Sequence, residues 1–136
     1  MKRVAYSQHM LGRLTAVGPG LVDVELTGAQ QTPLGVGATI ASQLSFATPR
    51  FFSADGTLAV DGEPALRLHT IGRGVLAPSP DDHLRHGTAM FDACGIGALS
   101  GARGRITSNF LVTADGALTD EQVVVLFIYR QEGELP

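Results

Sequence analysis

His69, Tyr129 and Arg105 are the side chains in this sequence best suited to act on a bound molecule. His69 lies between Leu68 and Ile71 in an otherwise apolar run, where an imidazole that titrates near neutral pH can shuttle a proton. A core histidine hydrogen-bonded to backbone explains the same pattern. Tyr129 alternates with Val125 and Phe127, so its hydroxyl can reach a ligand while its ring packs, although packing alone also accounts for it. Arg105 shares a strand face with Arg103, Thr107 and Asn109, opposite Ile106, Phe110 and Val112. In the preceding run His86, Thr88, Met90, Asp92 and Cys94 oppose Ala89, Phe91 and Ala93. If the polar faces point to solvent, these residues are surface. If they point inward, Arg105, Asn109 and Asp92 would hold an oxyanion, carboxylate or carbonyl, with Met90, Phe91 and Phe127 as an apolar substrate wall.

Other combinations carry less. "DDHLRHG" sets His83 and His86 three residues apart beside Asp81 and Asp82, a metal-like spacing without a third ligand, in a Pro-rich loop that favours a solvated turn. No metal is expected. Cys94, the single cysteine, fits a small buried thiol and agrees with a reducing compartment. "GIGALSGARGRITSNF" has the glycine spacing of a phosphate loop, but a dinucleotide fingerprint needs a helix after the glycines to present free N–H groups. A β-rich run follows instead. Gly95, Gly97, Gly101 and Gly104 are therefore expected to be bends, and no cofactor is expected.

The elements that would position these residues are strands almost throughout. "GLVDVELTG" alternates Val22, Val24 and Leu26 with Asp23 and Glu25, the period of a half-buried strand. "ATIASQLSFA" alternates too, with a second face of Thr39, Ala41, Gln43 and Ser45 that suits a lumen or a subunit contact. "ALRLHTIGRGVLA", "GTAMFDACG", "GRITSNFLVT" and "EQVVVLFIYR" add further strands, separated by glycine-rich joints and "ADGAL". The loop "PSPDDHLRHG" has room for a helical turn from Asp81, and the first ten residues fit a strand or a short helix. The pattern predicts an all-β fold, a small antiparallel barrel of about eight strands. An internal echo supports paired hairpins: Ile40, Ser42, Gln43 and Leu44 recur as Ile106, Ser108, Asn109 and Phe110, each followed by an Ala-Asp-Gly turn, at 54–56 and 114–116.

The segment "GIGALSGARGRI", followed by a strand, a D-G turn and a final apolar strand, resembles the glycine-rich segment of the allene oxide cyclase and dirigent-like barrels. The order of strands from 57 to 130 is also similar to small bacterial barrels that carry an F-[DE]-x-G element near the place of "FDACG". The resemblance covers the C-terminal half. It implies a closed, calycin-like antiparallel barrel, frequent oligomers, and an apolar lumen that binds a hydrophobic small molecule or steers its cyclisation. It assigns no catalytic residue.

With 136 residues, the chain is expected to form a single domain over 1–136. An apolar fraction of 44% excludes a disordered chain, and a net charge of -3 with scattered basic residues argues against nucleic acid. No run is long and apolar enough to span a membrane as a helix, no signal peptide is evident, and cytoplasm is the expected location. The sequence thus points to a cyclase or isomerase acting on a polyketide- or oxylipin-like molecule in the lumen. A carrier barrel and a structural subunit are the alternatives. The weakly charged faces of "TIASQLSFA" and "EQVVVLFIY" predict a homo-oligomer, a dimer or trimer.

Overall fold

The structure is a computed structural model that describes residues 1–81 and 83–129. Among the described residues nine strands follow one another: β1 (Lys2–Gly18), β2 (Leu21–Thr32), β3 (Gly35–Phe46), β4 (Phe51–Val60), β5 (Glu63–Thr70), β6 (Gly74–Pro78), β7 (Leu84–Gly95), β8 (Arg103–Thr113) and β9 (Ala117–Ile128). All pairings are antiparallel, and β9 returns to pair with β1, so the sheet closes on itself. β5 and β6 share one place in the ring. β5 bridges β4 to the C-terminal half of β7, and β6 bridges β4 to its N-terminal half. The barrel therefore has eight strand positions and one extra strand segment. The run 65–77, expected as one strand, breaks at Ile71–Arg73, where Gly72 has a positive φ of 68°.

Inside the barrel the alternation is clean. Met10, Leu58, Leu66, Leu68, Ile106, Val112, Val124 and Leu126 are fully buried, with inward positions contributed by every long strand. Removing this apolar surface from water is the main stabilising term. Two rings settle at one end by using the absence of a side chain opposite them: Phe52 lies against Gly74, and Phe110 against Gly87, each its cross-strand partner. Phe46 joins them, with ring centroids 5.3 Å from Phe52, and Phe52 and Phe110 are 6.2 Å apart.

One local expectation is corrected and two are resolved. The first residues form β1, a strand. Ala54, Asp55 and Gly56 lie inside β4 rather than in a turn, because inward Gly56 leaves the space that Ser42 fills on β3. Asp81 opens a turn, its carbonyl accepting the Leu84 N–H and its carboxylate the His83 N–H, each at 3.0 Å, and Asp82 lies outside the described residues. The only helix among the described residues is the 3₁₀ turn Gly97–Leu99, so none is long and apolar enough to cross a membrane. Far-UV circular dichroism is expected to be β-dominated, and a spectrum with about a third helix, an ordinary globular share, would contradict the barrel.

Candidate functional site

Strand parity sends most of the sequence-predicted site residues to the outside. On β5 the inward residues are Leu66, Leu68 and Thr70, so His69 faces solvent, its ring 65% exposed and its Nδ1 2.6 Å from Asp55 Oδ1. On β8 the inward residues are Ile106, Ser108, Phe110 and Val112. Arg105 and Asn109 are consequently exposed, and Arg105 reaches Met90 Sδ at 3.7 Å on the outer face of β7. Asp92 is on the same outer face, 3.9 Å from Arg103, and Phe127 and Tyr129 continue the outward series of β9. Cys94 is half-buried there rather than in the core, and its Sγ accepts from Arg103 Nη1 at 3.1 Å. Phe91 alone among the candidates lines the interior. His69, Arg105, Asn109 and Tyr129 thus do not converge on a lumen, because each sits one residue out of phase with the inward positions of its strand.

A different set of polar residues does converge. β8 and β9 turn Ser108, Asp120 and Gln122 inward, and β1 adds Gln8; each is 3% exposed. Ser108 Oγ lies 2.7 Å from both Asp120 carboxylate oxygens and donates to them. Gln122 Nε2 donates to Asp120 Oδ2 at 3.0 Å, and Gln8 Nε2 donates to Gln122 Oε1 at 2.7 Å. Register explains the meeting, since Gln8 is opposite Gln122 and Gln122 is opposite Ser108. Among the described residues no buried side-chain polar atom lacks a partner.

Among the described residues no cation joins this network. Burial pushes the Asp120 carboxyl up from 3.8 to about 6, against the hydrogen bonds from Ser108 and Gln122; the neighbouring Glu121 charge raises it a little further. A carboxyl so placed both gives and takes a proton near neutral pH, the range in which a general acid or base works best. Asp120, Gln122 and Ser108 border a small cavity otherwise walled by apolar residues, including Phe52, Phe91 and Phe110. Ser42 lines it as well, from β3 on the opposite side of the ring to β8. The sequence echo between 40–44 and 106–110 therefore sets two serines across the lumen from one another. The cavity measures about 30 Å³, room for a water or two and well under the expected lower limit of roughly 300 Å³ for a ligand pocket.

The chain has the fold of a dirigent barrel. It aligns over its whole length with 91% of the pterocarpan synthase dirigent protein GePTS1, with a TM-score of 0.51 and 13% identity. No protein-family model matches the chain, and no curated protein matches it significantly. At that identity the likeness establishes the barrel and leaves the chemistry to the residues. Among the described residues no group of three or more His, Cys, Asp or Glu side chains is placed to hold a metal ion.

Proposed function

We propose that this barrel binds an apolar small molecule in its interior and isomerises or cyclises it, with Asp120 as the proton donor and acceptor. The carrying observation is the Asp120 carboxyl, raised to about 6 and held by neutral partners only, at the edge of an apolar cavity. Such a carboxyl protonates a carbonyl or epoxide oxygen of the ligand as charge develops there. The carboxylate left behind removes a proton from carbon, so the product is an isomer and no cofactor is consumed. An apolar ligand that excludes water raises the carboxyl further and favours its acid form. A dirigent protein with pterocarpan synthase activity on the same fold supports a barrel interior as a place for small-molecule chemistry.

Admitting such a ligand requires more than the 30 Å³ present, and rotation of the Phe52 and Phe110 rings that line the cavity would enlarge it. The small cavity itself favours a second reading, a filled barrel that serves only as an oligomer subunit. Titration with unsaturated long-chain ketones and epoxides, followed by product analysis, separates the two. Binding with a negative heat-capacity change and turnover that falls about 100-fold or more in Asp120→Asn supports the catalytic reading. Binding without turnover leaves a carrier. Absence of binding across the panel leaves the structural subunit.

A further inference from the structure

The ring of strands has a gap in its ladder. β1 pairs with β9 from Lys2 to Arg13 but with β2 only from Leu11 onward. Beyond Thr27, β2 bulges between Gly28 and Gln31 and stays with β3. At the start of the gap Gln30 substitutes for a strand, its Oε1 accepting from the His9 N–H at 3.0 Å and its Nε2 donating to Ser7 O at 3.3 Å. These bonds fix the parity: odd-numbered residues of β1 aim their peptide groups at the gap, while even-numbered ones aim at β9, as the Leu14 N–H does toward Gly116 O. Among the described residues, nothing pairs with the gap-facing peptide groups of Arg3 and Ala5, both exposed. Tyr6 turns inward and packs, half-buried, against the core beneath this edge.

We infer that the β1 edge at Lys2–Ser7 pairs antiparallel with the same edge of a second copy, about a two-fold axis at Ala5. An unprotected edge strand is a template for strand addition, and natural proteins ordinarily block it with charge, proline or a covering segment. This edge has none of these at its centre. In the two-fold register Ala5 faces Ala5 of the other copy, Arg3 faces Ser7 and Lys2 faces Gln8, so no like charges are opposed. The outward side chains at the axis are small, and the neighbouring outward positions on β9 are Val123 and Val125, the former 51% exposed. Pairing therefore continues an apolar strip across both copies.

Sedimentation and light scattering of the intact chain should show a dimer. Ala5→Pro removes an N–H that makes no bond among the described residues, so it should leave the fold intact, as judged by circular dichroism and the melting temperature. Loss of the ladder should weaken association by on the order of 100-fold. Ala5→Lys and Ala5→Glu, at an exposed outward position, should each be monomeric because like charges meet at the axis, and mixing the two should restore a dimer. Those two carry the test if the proline variant does not fold. A monomer at millimolar concentration overturns the inference. So does an oligomer that survives both charged substitutions.

Discussion

At about pH 8 the Asp120→Asn barrel should be more stable than the parent by about 3 kcal/mol, and the difference should disappear below about pH 4. The folded carboxyl is raised from 3.8 to about 6, and each unit corresponds to about 1.4 kcal/mol between the two protonation states. Because the folded form holds its proton more tightly than the unfolded form, this group favours folding most strongly below its unfolded value. That contribution declines as pH rises through about 6 and is flat above. With the side chain 3% exposed, solvent screening does little to reduce it. Asn fits the same hole: its amide oxygen accepts from Ser108, and its NH₂ donates once Gln122 and Gln8 rotate their amides. Asp115, whose carboxyl is lowered chiefly by Thr113, titrates alike in both proteins and cancels. Denaturant unfolding of the two proteins at a series of pH values measures the difference directly. A difference that does not change between about pH 4 and pH 8 would refute the raised carboxyl, and with it the proton chemistry proposed for the cavity.

The network around Asp120 was written in the sequence but disguised by its neighbours. Asp120 stands between Thr119 and Glu121 just after a turn, where consecutive polar residues look like a solvated strand end. Parity separates them: Leu118, Asp120, Gln122, Val124 and Leu126 form one series, and Ile106, Ser108, Phe110 and Val112 another. A carboxylate and an amide in phase with a core series mark an interior site more reliably than a histidine or arginine whose own phase is not fixed. His69 illustrates the difference. Its apolar neighbours Leu68 and Ile71 differ in parity from one another, so proximity in sequence says nothing about its face.

The barrel itself was legible from period-two alternation in β2, β3, β7, β8 and β9. What escaped was closure. β4 looked like a turn because Asp55 and Gly56 are turn formers, whereas here they are set by strand partners distant in sequence, Gln43 and His69 for Asp55, Ser42 and Leu68 for Gly56. The offset of β1 against β2, which leaves the edge open, depends on a bulge held by the Gln30 side chain, and no local propensity announces it.

Closure also explains a large destabilisation expected of Gly104→Ala. Gly104 faces inward on β8 opposite Leu126 of β9, and a Cβ there would lie 1.9 Å from Val125 O and 2.8 Å from Leu126 Cα. Both are backbone atoms of the paired strand, so no rotamer change relieves the overlap; β8 and β9 must separate and lose ladder bonds. A loss of more than about 4 kcal/mol, or failure to fold, is expected. Gly101→Ala is the matched comparison, since its Cβ would meet nothing within 4 Å and only its φ of +92° opposes the change. Strain of that kind costs about 1 to 3 kcal/mol. Urea midpoints of the two variants should therefore differ widely, although both glycines belong to one short motif. Equal and small effects would mean that the strands do not approach this closely. In that case the same two strands would not be held tightly enough to press Ser108 against Asp120, and the site would lose the geometry on which its acid depends.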